Sequence, residues 1–162
     1  MKMDSILKAA ALAVLATILP PTSARAQGAT PSPAASTIPQ GQLVQPQQLS
    51  QLLHAPAAQR PLILQVGSRV MYNEAHIPGS EYAGPAALPQ GLDLLRARVH
   101  SLPHNRFIVI YCGCCPWSHC PNIGPAYKLL HDLGFTRVKA LYLADNFGSD
   151  WVNQGLPVER GQ

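Results

Sequence analysis

Hydrophobic positions along this chain fall into two rhythms that take turns: short unbroken apolar runs, and longer stretches with apolar residues at helical spacing. The runs at 62–66 (Leu62-Ile63-Leu64-Gln65-Val66), 107–111 (Phe107-Ile108-Val109-Ile110-Tyr111) and 138–143 are the first kind. Their length and composition predict buried strands, the first closed by Gly67. Three stretches are of the second kind. Residues 47–53 read as a helix that ends before Pro56 and Pro61. Residues 91–100 carry Leu92, Leu94, Leu95 and Val99, and 123–133 runs up to Gly134, a helix stop signal. Shorter helical turns are expected at 72–75 and at 150–154, the latter ended by Gly155 and Pro157, and Ile77-Pro78-Gly79 has turn chemistry. Strands alternating with helices predict an α/β fold with a mainly parallel central sheet. There is no internal repeat.

The N-terminal pattern is different. Residues 9–19 are apolar, Lys2 and Lys8 precede them, and Ala24-Arg25-Ala26 has the small-x-small form of a cleavage site. This predicts a signal peptide over 1–26 and a mature start at Gln27. The apolar run is too short to span a bilayer and ends at Pro20-Pro21, so no membrane association is expected after cleavage. The expected location is the periplasm or the exterior. Residues 27–42 are rich in Pro, Ala, Ser, Thr and Gln without apolar periodicity, which predicts a disordered tether. The domain proper is expected over 43–160. Removing 26 of the 162 residues leaves 136, enough for one domain. The 12 basic and 8 acidic residues become 9 and 7 without Lys2, Lys8, Arg25 and Asp4, so the net charge falls from +4 to +2. With no basic stripe, nucleic acid is not an expected partner.

All four cysteines, Cys112, Cys114, Cys115 and Cys120, follow directly on the run 107–111. Cys112 is thereby expected at the end of a strand, where a loop leads to a helix N-terminus. Free N–H groups and the helix dipole at such a place favour a thiolate with a lowered pKa. The loop is also suited to cradling an anion. In an oxidising compartment an even cysteine count usually signals disulfides. Four cysteines this close enclose only very small loops, where a staple stabilises least. The cluster points to sulfur or soft-metal chemistry.

Nearly the whole predicted domain resembles the rhodanese-like family. Leu64-Gln65-Val66-Gly67 stands where family members end a strand near Asp-Val-Arg, and Ala75-His76-Ile77-Pro78-Gly79-Ser80 matches their Gly-His-Ile-Pro-Gly-Ala. Ile110-Tyr111-Cys112 opens a six-residue loop, Cys112-Gly113-Cys114-Cys115-Pro116-Trp117, followed by Ser118. Gly134-Phe135-Thr136-Arg137-Val138, Trp151 and Gly155-Leu156-Pro157-Val158 complete the ordered set. The resemblance implies a three-layer α/β domain with Cys112 as catalytic nucleophile. Its thiolate would take a sulfur from a small donor as a persulfide and pass it to a thiol acceptor, a ping-pong cycle without a cofactor. Gly113, Cys114, Cys115, Pro116, Trp117 and Ser118 would form the anion-binding loop. A six-residue loop matches the sulfur-transferring branch.

The chain departs from the family pattern at several points. Trp117 replaces an Arg found in many active members, Gln65 and Gly67 replace Asp and Arg, and Asn146-Phe147 replaces Gly-Gly. No Lys or Arg lies between Phe107 and Tyr127. Losing one charge-assisted contact to a dianion costs roughly 1.5–3 kcal/mol, which disfavours thiosulfate as donor. The three additional cysteines leave three readings open. As resolving thiols, Cys114, Cys115 and Cys120 would make a relay served by a periplasmic thiol reductant. As ligands together with Cys112, they would take Cu(I) or Zn, although the spacing is not the paired C-x2-C of structural zinc sites. A Cys115–Cys120 or Cys114–Cys120 disulfide would instead fix the loop. Trp117 is expected either to shield the loop or to pack. His76 is read as a packing residue, Tyr111 and Trp151 as core, and His54, His100, His104 and His131 as surface.

Overall fold

The computed structural model describes residues 38–161, so the expected signal peptide and the tether up to residue 37 lie outside the described part. The apolar runs form strands of one parallel sheet. In chain order the strands are β1 (Leu43–Val44), β2 (Leu62–Gln65), β3 (Glu81–Tyr82), β4 (Ile108–Tyr111) and β5 (Val138–Leu141). Their spatial order is β1-β5-β4-β2-β3, and every pairing is parallel. The helices are α1 (Pro46–Leu53), α2 (Arg69–Glu74), α3 (Pro89–Val99), α4 (Ile123–Asp132) and α5 (Phe147–Asp150).

Parallel sheets are covered on both faces, so their central strands are apolar throughout. β2 and β4 obey this: all four residues of each are buried. Successive side chains point to opposite faces, and two cores result. Leu62, Leu64, Ile108, Ile110, Val138 and Ala140 pack with Leu95 and Val99 of α3 and Ile123, Ala126 and Leu130 of α4. Ile63, Val109, Tyr111 and Leu141 pack on the other side with Leu49 of α1, Phe147 of α5 and Trp151. Tyr111 and Trp151 are core residues as expected, and Trp151 donates its indole N–H to the Pro157 carbonyl at 2.8 Å.

The helix starts follow local chemistry. Pro46 begins α1, where a missing N–H costs nothing, and the Gln48 side chain accepts from the Gln45 N–H at 3.0 Å. Asn146 caps α5 by accepting from the Ser149 N–H at 2.9 Å. That cap starts the last helical segment at Phe147, and the expected turn at 150–154 becomes a 3-10 turn, Val152–Gln154. β1 and β3 were not expected, because two residues are too few to show a strand rhythm. The folded part also takes in residues 38–42 of the expected tether: Ile38 is buried in the α3/α4-side core, and Gln40–Gln42 forms a 3-10 turn.

His76 packs as expected. It is buried, stacks on Tyr72 with centroids 4.0 Å apart, and holds the Tyr72 carbonyl through Nδ1 at 2.8 Å. His54, His100, His104 and His131 are exposed. No described helix is long and apolar enough to cross a membrane.

Two stability predictions follow from this packing. Ile110→Ala empties a fully buried position at the sheet centre and is expected to cost about 2–5 kcal/mol, seen as a lower urea midpoint at unchanged slope. The second concerns Glu81 of β3, whose carboxylate is bonded to Arg98 of α3 through two guanidinium nitrogens. That bond holds the Glu81 pKa below the usual range. Its stabilisation is therefore complete above the ordinary carboxylate pKa of about 4.3 and disappears as pH falls through the lowered value. For a half-exposed pair it amounts to at most about 1 kcal/mol, and the stability gap between wild type and Glu81→Gln should close in acid.

Candidate active site

Cys112 stands directly after β4, beside the end of β2. From β2 the chain turns to β3 on one edge, and from β4 it turns to β5 on the opposite side. Connections leaving in opposite directions open a crevice at the C-terminal ends of the two strands, the usual ligand position in open parallel sheets. Two residues at the end of β2 line it. Gln65 is buried, and its Nε2 donates to the Cys112 carbonyl at 3.3 Å while its Oε1 accepts from the Gly67 N–H at 3.1 Å. A Cβ on Gly67 would lie 2.7 Å from Cys112 Sγ, so only glycine leaves room for the sulfur. A cavity of about 200 Å³ opens here, lined by Cys112, Gln65, Met71, Tyr111, Phe147 and Gly148, among others.

The loop after Cys112 is held from α5. Gly113 adopts φ +80°, its carbonyl accepts from the Phe147 N–H at 3.1 Å, and a Cβ there would meet the Phe147 Cβ at 2.6 Å. Phe147 therefore serves as a lid on the glycine. Among the described residues, the N–H groups of Gly113 and Cys115 donate to no backbone carbonyl, and the Cys114 N–H is turned to its own sulfur. The Trp117 N–H donates to the Ala144 carbonyl at 3.1 Å, and its ring packs on Tyr142 with centroids 5.3 Å apart. This favours the packing reading of Trp117. Ser118 lies in a 3-10 turn, Trp117–His119, and does not open α4; it pairs with His119 Nδ1 at 2.8 Å. Cys120 is likewise not in the first turn of α4. It is extended (φ −72°, ψ 112°), because Pro121 disfavours helical backbone in the residue before it.

The structure gathers the sulfurs. Cys112 Sγ lies 3.0 Å from Cys114 Sγ, and Cys114 Sγ lies 3.3 Å from Cys115 Sγ. The sulfurs of Cys112, Cys114 and Cys120 are all within 4.8 Å of one another. Cys112 and Cys120 are buried, Cys114 is exposed, and all four are free thiols, with neither expected disulfide present. Asn122 closes the cluster: its Nδ2 donates to Cys112 Sγ at 3.3 Å and to Cys114 Sγ at 3.9 Å, while its Oδ1 accepts from the Ala87 N–H at 2.9 Å.

Charge in this cluster sits on the outermost sulfur. Hydrogen bonds from Cys112 and Cys120 hold the Cys114 thiol far below its usual range. Cys112 is correspondingly pushed up, first by its bond to Cys114, then by Cys120 and by burial. The expectation of a lowered pKa at Cys112 is therefore corrected: the solvated sulfur carries the negative charge, and the buried one donates its proton to it. At Cys120 the bond with Cys112 and the N–H groups of Asn122 and Ile123 pull the pKa down, but Cys114 and burial outweigh them. Burial and the bond to Cys114 also raise Cys115. Arg69, the basic residue next in sequence to the first motif, lies over the Tyr82 ring at 4.0 Å.

Gln65, Gly67 and Asn122 were not expected as site residues. Gln65 and Gly67 had been read as departures from a motif, and Asn122 sits at an ordinary helix N-cap position. At Asn122 one signal was available. An Asn before a helix normally caps it, but here it makes no capping bond and turns its amide to the sulfurs instead.

The domain is all-parallel α/β with a thiol at the mouth of its central crevice. The model of the rhodanese-like domain matches residues 45–143, and the chain belongs to that family. Among solved structures, the Alr3790 protein from Anabaena sp. superposes with TM-score 0.54 at 27% identity, over 73% of this chain and 92% of that one. The rhodanese-like domain of the same Anabaena protein, determined by NMR, gives 0.54 at 25%, over 74% and 79%. A thiosulfate sulfurtransferase from Pseudomonas aeruginosa shares the fold, with TM-score 0.54 at 22% identity, over 74% of this chain and 20% of its own. No curated protein matches the chain.

The Gly67 contact is testable. Gly67→Ala should cost about 1–3 kcal/mol through overpacking against Cys112 and should change the rate of Cys112 alkylation, read by peptide mass mapping. Gly41→Ala, with nothing within 4 Å, should stay within about 0.5 kcal/mol.

Proposed function

We propose that this domain transfers sulfane sulfur through a persulfide on Cys112. The observation that carries the reading is the placement of Cys112 Sγ in the crevice between β2 and β4, 3.0 Å from Cys114 Sγ and within reach of the Asn122 amide. In the first half-reaction Cys112 attacks the outer sulfur of the donor, and its proton passes to the departing group. A new S–S bond forms, the donor's bond to that sulfur breaks, and the leaving group departs with the electron pair. The resulting Cys112 persulfide anion is stabilised by the Asn122 amide and the N–H groups of Gly113 and Cys115. In the second half-reaction an acceptor thiolate attacks the outer sulfur, and Cys112 leaves and recovers its proton. The cycle is ping-pong.

Charge selects the donor. The cavity beside Cys112 is lined by no Lys or Arg, while Glu74 adds a carboxylate to its wall, and Trp117 is committed to Tyr142. A singly charged persulfide or polysulfide suits such a site better than the thiosulfate dianion. Export by residues 1–26 would place the reaction in the periplasm or outside the cell, where a thiol reductant would keep the four cysteines reduced.

Intact-mass analysis of the reduced protein tests the reading. After treatment with a low-molecular-weight persulfide the protein should gain one sulfur, about 32 Da, and lose it to an added thiol. Thiosulfate should load roughly 10-fold or more less efficiently than the monoanionic donor. A Cys112→Ser protein that still gains one thiol-removable sulfur would show that Cys112 is not the acceptor.

A further inference from the structure

We propose that Cys112, Cys114 and Cys120 form a three-thiolate site for Cu(I), with Cys115 outside the ligand set. The ligand count comes first. The three sulfurs lie within 4.8 Å of one another although Cys120 is eight residues from Cys112 and belongs to a different turn. Cys115 lies 3.3 Å from Cys114 Sγ and 3.8 Å from the His119 carbonyl, but it is not within 4.8 Å of all three of the other sulfurs. A bond of about 2.3 Å between a thiolate and a closed-shell ion places three sulfurs of a trigonal site about 4 Å apart. The Cys112–Cys114 separation is 3.0 Å and none of the three exceeds 4.8 Å, so small side-chain rotations would close them on an ion.

The number of ligands selects the ion. Structural zinc takes four ligands in a tetrahedron, and its thiolate sites use paired C-x2-C spacing. Three soft thiolates without a fourth donor suit Cu(I), which accepts three-coordinate sulfur. The surroundings are those of a built site. Asn122, itself buried, donates to Cys112 and Cys114. Such partners around the ligands orient them and tune the ion. Cys112 and Cys120 are buried and exclude water, while exposed Cys114 offers the entry path. Binding involves no electron transfer: Cu(I) remains Cu(I), and each thiol that ligates releases its proton to solvent.

One consequence rests on the sulfur-transfer reading. Cys112 would serve both reactions, so bound Cu(I) and a Cys112 persulfide exclude each other. Copper would then act as an inhibitor of transfer.

The test is an anaerobic titration of the reduced full-length protein with Cu(I) held by bicinchoninate, whose coloured complex reports the copper not taken by the protein. The wild type should take one equivalent. Cys120→Ser should weaken binding by more than about 100-fold, beyond what loss of a merely supporting residue produces, while Cys115→Ser should leave it unchanged. X-ray absorption of the loaded protein should show three sulfurs in a single shell. No copper taken by the wild type, equal uptake by Cys120→Ser, or loss of uptake in Cys115→Ser would each overturn the site. The wild-type protein also separates the two proposals. Persulfide formation without Cu(I) uptake defeats the metal site alone, and Cu(I) uptake without persulfide formation defeats sulfur transfer alone.

Discussion

Burial of β4 on both faces is the constraint on which the rest of the structure depends. With β5 on one side and β2 on the other, Ile108 to Tyr111 have no freedom of register. A slip of one residue would turn Ile108 and Ile110 toward α1 and α5, and Val109 and Tyr111 toward α3 and α4. The residue after the strand inherits that alternation. Cys112 lies in phase with Ile108 and Ile110 and so emerges on the α3/α4 side, the side from which Cys120 and the start of α4 approach. The sulfur cluster is thus a consequence of strand parity together with the path of one loop.

That loop is fixed at several points by contacts that leave its sulfurs alone. Phe147 holds Gly113 from α5, the Ala144 carbonyl takes the Trp117 N–H, and Tyr142 receives the Trp117 ring. Replacing a cation by Trp117 changes the electrostatics of the crevice more than its shape. A guanidinium would have supplied a full charge for a dianion. The dipoles present here suffice for one negative charge shared among sulfurs, and the cluster places that charge on Cys114, where water also reaches it. The same arrangement explains why the buried Cys112 keeps its proton.

Much of the scaffold was legible in the sequence, and the reason is periodicity. The runs that became β2, β4 and β5 and the spaced leucines of α1, α3 and α4 repeat often enough to declare their type. β1 and β3 do not: Leu43–Val44 and Glu81–Tyr82 are strands only because partners already in place pair with them. The position of Cys112 was legible for the same reason as β4. The rest of the site was not, because its meaning is carried by approach in space. Gly67 matters through a sulfur that lies 45 positions away in the chain, and Asn122 through a capping bond it forgoes. Cys120 is held in extended backbone outside α4 by Pro121, and its approach to Cys112 and Cys114 shows only in space.

The two chemistries assigned to the cluster make different demands on Cys114. For sulfur transfer Cys114 need only stand beside Cys112 and accept its hydrogen bond until Cys112 forms the S–S bond. For Cu(I) the same sulfur must stay and share the ion with two others. The structure meets both demands because Cys114 is the only member of the trio exposed to solvent. Water solvates its charge in one case, and the same opening admits an ion in the other. Cys120 divides the two roles. It lies on the far side of the loop, beneath the start of α4, and the persulfide cycle does not require it, whereas three-coordinate sulfur does. A cysteine held in extended backbone by Pro121, buried and turned toward two other sulfurs, is well explained as a ligand and poorly explained as filler.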